Sequence, residues 1–200
     1  MNSIRKLFIN CVCHQMEFES FKNITLLSGS WATIGSQHHE KRREFTFACK
    51  VDGRKVSYYL GDSDLRTDSS AVLASDLNSQ YDRITRVVGD LAVRTVDLGR
   101  IHVSFAKLQR DVLPIVASLV ANCSWSNTRV QPAMVTKAFK TTPGFNVLFV
   151  TEPRKEAIDF VKQQVRFGNV ETIHLRYRIP TKREELAKLA ETLKTFASSR

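Results

Sequence analysis

Between residues 146 and 196 the apolar pattern alternates between strand and helix, and this constrains the fold more than any other stretch of the chain. Asn146-Val147-Leu148-Phe149-Val150-Thr151 is a β-branched and aromatic run of strand length. Pro153 stands where the first turn of a helix tolerates it, and Ala157, Ile158, Val161 and Val165 form an apolar stripe at helical spacing. Gly168 occupies the position of a left-handed helix cap. Val170 to Ile179 is a second strand, with Ile173, Leu175, Tyr177 and Ile179 on one face and Pro180 ending it. Thr181-x-x-Glu184 is a capping box for a final helix that turns Leu186, Leu189, Leu193 and Phe196 inward. A right-handed crossover is the usual way to join two strands through one helix, so Asn146–Thr151 and Thr172–Ile179 are expected as neighbouring parallel strands.

The two strands start about 25 residues apart, which is the size of a leucine-rich repeat unit. The repeat's asparagine ladder is absent, so the units read either as degenerate leucine-rich-repeat-like modules or as a compact βαβ layer. Both belong to the α/β class. Upstream, Glu44 to Val51 alternates strictly, Asp52-Gly53 supplies a turn, and Val56 to Leu60 returns, which predicts a β-hairpin. Ile4 to Met16 carries Ile4, Leu7, Phe8, Cys11 and Val12 at helical spacing, and Trp31 to Arg43 reads as a second helix ending in cations. Gly61 to Ser70 is polar and reads as a loop; Ala71 to Arg86 reads as a weak helix. Val93–Leu98 and Ile101–Val103 look like strands, and Leu108–Val120 like a helix disturbed by Pro114. The expected architecture is therefore a short helical N-terminus and a β-hairpin followed by strand–helix units. The division falls into a helical segment at 1–43 and an α/β region at 44–200.

Function classes narrow by elimination. An apolar fraction of 42% and a charged fraction of 25% are ordinary for a globular chain, and no apolar run approaches the length of a membrane span. The start shows no secretory cleavage pattern, so a cytoplasmic or nuclear location is expected. There Cys11, Cys13, Cys49 and Cys123 would be reduced thiols. Cys11-x-Cys13-His14 lacks the spacing and the matched second pair of a structural zinc site, so no metal is expected. The glycines are isolated, with no phosphate-cradling loop, and Asp62 and Asp64 have no third ligand at calcium-loop spacing. Four Cys and five His allow many chance nucleophile pairs, none in a recognisable local context. The reading is non-enzymatic, with no cofactor.

A net charge of +10 permits an anionic partner. It is spread along the chain; its densest run, Lys41-Arg42-Arg43 flanked by Glu40 and Glu44, reads as a solvated helix end. Nucleic acid would prefer basic residues interleaved with aromatics on a strand, and only His174, Arg176 and Arg178 come near that. A nucleic-acid-binding protein using its basic surface is the alternative to the favoured class, a protein-binding module.

Three segments carry a resemblance. They are Ile4-Arg5-Lys6-Leu7-Phe8-Ile9-Asn10-Cys11-Val12-Cys13, Leu27-Ser28-x-x-Trp31 to His39-x-x-Arg42-Arg43, and Phe160-Val161-Lys162-Gln163-Gln164-Val165-Arg166 with Val170-Glu171-Thr172-Ile173-His174-Leu175. Together they resemble a large, lineage-expanded nematode family of the F-box-associated type. The likeness runs from about residue 4 to 180, and the Leu-Pro pair that opens an F-box is missing. It implies a degenerate F-box-like helical start, a substrate-recognition-like α/β region, and a ubiquitin-ligase adaptor among the partners. Leu7, Phe8 and Val12 are then the candidate docking residues. His174, Arg176 and Arg178 mark the second candidate surface, the sheet face opposite the helices. Trp125, in the polar stretch Asn122–Asn127, is a candidate interface anchor.

Overall fold

The structure, a computed structural model, describes residues 2–24, 26–52, 55–62, 71–89, 100–127, 133–151, 154–175 and 183–198. Three helices come first: α1 (Asn2–Gln15), the single turn α2 (Phe21–Ile24) and α3 (Ser30–Lys41). The hairpin follows as β1 (Arg43–Asp52) and β2 (Lys55–Asp62), in antiparallel register from Phe45 opposite Asp62 to Asp52 opposite Lys55. Then come β3 (Asp82–Val88), β4 (Ile101–Val103), α4 (Phe105–Lys107), α5 (Leu113–Ser118), β5 (Val120–Asn127), α6 (Ala133–Phe139), β6 (Phe145–Val150), α7 (Lys155–Phe167), β7 (Thr172–Leu175) and α8 (Arg183–Ser198).

All seven strands join one mixed sheet in the order β4-β2-β1-β3-β5-β6-β7. β2 runs antiparallel to β1 and β4, whereas β1, β3, β5, β6 and β7 are parallel, neighbour by neighbour. The expected parallel pairing of the last two strands is present, with Val147 opposite Thr172 and Val150 opposite Leu175. β4 turns back to the β2 edge, and from β3 through β5 and β6 to β7 the strand order advances in one direction. Crossovers of a single hand then put every connecting helix on the same side. The main core confirms the geometry: one face of the sheet packs against α5 (Leu113, Val116), α6 (Val135, Phe139), α7 (Phe160, Val161) and α8 (Leu189).

The strand pattern explains that choice of face. In β1, Phe45, Phe47 and Cys49 turn toward the helices, as do Val56, Tyr58 and Leu60 in β2. Gly168 caps α7 in the left-handed region, φ 78°, and its amide donates to the Val165 carbonyl. In α8, Leu189 is buried and Leu193 and Phe196 pack at the margin of the core. The capping box at Thr181, the turn at Gly53, most of the polar loop to Ser70, the strand reading at Val93–Leu98, and both Arg176 and Arg178 lie outside the described residues.

Four expectations are corrected. Ala71–Arg86 holds a short 3-10 turn (Ala74–Asp76) and the strand β3 rather than a helix. Its Val87-Val88 end is buried, which decides for a strand between β1 and β5 over a surface helix. Val120 is not the end of a helix but the first residue of β5; helical structure stops at Ser118, after a π-type turn at Leu108–Val112 just before Pro114. The polar stretch 122–127 is that same central strand, and its small polar residues alternate with buried Cys123 and Trp125. Trp125 is therefore no surface anchor. It is 0% exposed, and its ring lies 4.4 Å from that of Phe160. Lys41-Arg42-Arg43 is not a solvated end either, because Arg42 is buried.

Trp125→Ala is accordingly expected to cost ~3–5 kcal/mol, the range for emptying a large core aromatic. Urea unfolding followed by circular dichroism measures it as a lowered midpoint. A change within about 0.5 kcal/mol, the range for exposed positions, would contradict the placement.

Candidate interaction surfaces

The three N-terminal helices close a small core of their own from Ile9, Cys13, Phe21, Ile24 and Ile34. α3 approaches α2 closely at Gly35, where a Cβ would stand 2.1 Å from Ile24 Cγ2. On α1, Ile9 and Cys13, four residues apart, take the inward face. The stripe that holds the candidate docking residues faces solvent: Ile4 is 74% exposed, Leu7 66% and Phe8 59%, with Cys11 also exposed. Val12 is half-buried. Phe8 meets the half-buried Trp31 edge-to-face, ring centroids 6.3 Å apart, and Leu26 and Leu27 are exposed near the start of α3. An amphipathic helix that buries one stripe and offers a second to water is the arrangement of a docking helix.

The helical segment meets the sheet through polar groups. Arg83 of β3, fully buried, donates from Nη1 to His14 Nε2 at 2.9 Å and to the Asp82 carbonyl at 2.9 Å. Since a guanidinium only donates, His14 is neutral with its proton on Nδ1. His38 Nε2 donates to Asn10 Oδ1 at 2.9 Å, and Gln80 Nε2 shares that oxygen at 3.2 Å. Arg42 donates to the Met16 carbonyl and pairs with Glu44 at 3.1 Å. Beside them Arg43 grips the buried Asp82 carboxylate with two bonds, 2.9 and 2.6 Å, while the Asn78 amide donates to it at 2.6 Å. Asn122, at φ 45°, sends its side-chain amide to the Gln15 carbonyl at the end of α1.

Cations outnumber carboxylates at this seam, and the titrations shift accordingly. Burial first, then the charge of Arg83, pushes both His14 and His38 down to about 4. Burial, with Arg42 adding repulsion, lowers Arg83 to about 9 despite the opposing pull of Glu44 and Asp82. Among the described residues Arg83 Nε and Nη2 and His38 Nδ1 find no hydrogen-bond partner. The seam thus holds the helices in place with charge that burial disfavours.

The far face of the sheet presents His174 and Thr172, both exposed, on β7. The His174 ring stacks on the half-buried Phe149 of β6, centroids 4.5 Å apart and planes 7° apart. Arg86 of β3, which sequence reasoning passed over inside its supposed helix, is exposed on this face. Its only cue was the alternation around Val87 and Val88.

A cleft of about 500 Å³ opens at the start of β5 and β6 between Gln15, Ser118, Thr142, Gly144 and Asn169. None of the described residues lining it is titratable, so they offer no acid–base pair. Among the described residues no group of three His, Cys, Asp or Glu could hold a metal ion. Burial pushes the Cys49 thiol up to about 12 and Cys123 well above its usual range, which disarms both as nucleophiles. No described helix is long and apolar enough to cross a membrane. Comparison with known proteins found no matching family model, no matching curated protein and no matching solved structure.

The two seam histidines make the fold acid-labile. In the folded chain each takes its proton only at about 4, in the unfolded chain near 6.5. Between those values the unfolded state binds more protons, so stability is full above pH 6.5 and drains away as pH falls toward 4. Thermal melts across pH 7 to 4 should show this loss. A His14→Gln/His38→Gln double variant should flatten it.

Proposed function

We propose that this chain is a non-enzymatic protein-binding module that serves as a substrate-recognition adaptor of the F-box-associated type. The observation that carries the reading is the exposed apolar face of α1. Ile4, Leu7 and Phe8 remain in water although the helical segment already has a closed core beneath them. Large apolar side chains left outside a completed core mark a surface that a partner covers. The resemblance implies a degenerate F-box-like helical start, which would dock to a ubiquitin-ligase adaptor, and a substrate-recognition-like α/β region. This division fits a chain whose helical segment and sheet have separate apolar cores. Buried, disarmed thiols suit a cytoplasmic or nuclear setting, where reduced cysteines serve as packing groups.

Affinity purification of the tagged full chain should recover the ligase adaptor, identified by mass spectrometry. Leu7→Asp/Phe8→Asp should abolish capture without lowering the melting temperature, since both residues are exposed. If the wild-type chain recovers no ligase adaptor, the reading fails. Nucleic acid, the rival partner, is tested alongside by salt titration. Six or more phosphate contacts would make affinity fall ~10³-fold or more between 50 and 200 mM salt, and no binding is expected at physiological salt.

A further inference from the structure

The sheet face away from α5–α8 carries side chains in cross-strand rows that the strand register fixes. One row runs His174, Phe149, Ser126, Val88, Ala48 and Tyr59. The row beside it runs Thr172, Val147, Ser124, Arg86 and Thr46. At the β5 end the helical segment reaches this face through Gln15 and Asn122, and at the β1–β3 end through Arg42, Glu44, Arg83 and His14. Beyond that cover Arg86, Thr172 and His174 are exposed, and Ser124, Ser126, Val147 and Phe149 are half-buried.

Among the described residues the one full charge exposed on the open part is the Arg86 guanidinium, which makes no ion pair there; Lys50 and His102 lie on the same face across the buried Ala48 and Tyr59. Glu44, at the edge of this face, pairs with the buried Arg42. An exposed guanidinium with the Ser124 hydroxyl on the neighbouring strand matches a carboxylate's geometry and charge. The half-buried Val147 and Phe149 add apolar ground beside them. The aromatic pair favours a polypeptide over a nucleic acid, because one face of each ring is taken by the other. The faces so covered are withdrawn from the base stacking that single-strand binders use.

We infer that this open strip, centred on Arg86 and the Phe149–His174 pair, binds an extended acidic segment of a partner polypeptide. The inference rests on the adaptor reading, in which it is the substrate-recognition surface, and names the substrate as acidic.

The test uses the purified full chain and three fluorescein-labelled probes. They are a twelve-residue peptide repeating Asp-Glu-Phe-Ser, its counterpart with lysine for each acid, and a twelve-nucleotide oligo(U). Fluorescence anisotropy should show binding of the acidic peptide only. Arg86→Glu should weaken it about tenfold or more, the size of a lost close charge pair. Thr172→Glu, at an exposed neighbour in the same row, should act in the same direction, and melting curves should match wild type for both. Equal affinity for the acidic and lysine peptides, affinity indifferent to both variants, or tighter binding of oligo(U) would overturn the inference. The adaptor reading has its own readout. Arg86-dependent peptide binding without ligase-adaptor capture leaves this surface standing and the adaptor role refuted, whereas capture with indifferent peptide binding removes this inference alone.

Discussion

A chain of aromatic contacts across the helix-covered face holds the sheet and its helices together. Tyr58 of β2 lies 6.3 Å from Phe47 of β1, and Phe47 lies 6.0 Å from Phe139 of α6. Phe139 meets Phe145 of β6 edge-on, Phe145 meets Phe160 of α7 in the same way, and Phe160 closes on Trp125 of β5 at 4.4 Å. These rings bury large areas and prefer tilted or perpendicular contact, so they fix the height and angle of α6 and α7 over the strands. Because this face takes nearly all the large apolar side chains, the opposite face has few left, and its centre makes do with Ala48, Tyr59 and Val88. Those three are themselves buried, and the open, polar part of the face lies toward β7.

The helical segment depends on a different force. Its contact with the sheet runs through Arg83, His14, His38, Asn10 and Arg42, where buried donors compete for few acceptors and each cation feels the next. Buried cations in excess of their carboxylates contribute orientation more than stability. The arrangement leaves α1 anchored by its C-terminal end and by Ile9 and Cys13, with its other apolar stripe unused. A helix seated through apolar contacts would have spent Leu7 and Phe8 on the core. The polar seam is what keeps them available to a partner.

How much of this the chain spelled out depends on which interactions were local. The β1–β2 hairpin, the α7 stripe with its Gly168 cap, and the parallel pairing of β6 with β7 follow from alternation, helical periodicity and a crossover of one helix. Each of these is set by residues within about 30 positions of one another. The exposed face of α1 was legible only in part. Its apolar stripe is plain in the sequence, but a stripe does not say whether it meets the core or water, and Ile9 and Cys13 took the inward side.

What only the tertiary structure decided lies in the middle of the chain. Asp82–Val88 and Val120–Asn127 are poor in the continuous apolar runs that announce a buried strand, since Arg83, Arg86, Ser124 and Ser126 interrupt them. They are strands because β1 and β6 offer unpaired edges on either side, and a backbone donor left unpaired in a sheet costs more than a weak helical preference returns. The same long-range pairing put Trp125 under Phe160, gathered Arg42 and Arg83 with two histidines, and set Arg86 in the cross-strand row next to that of the Phe149–His174 stack. Local sequence determined which segments are regular and which faces are apolar. The choice of face to bury, and hence the surface left for recognition, came from partners far along the chain.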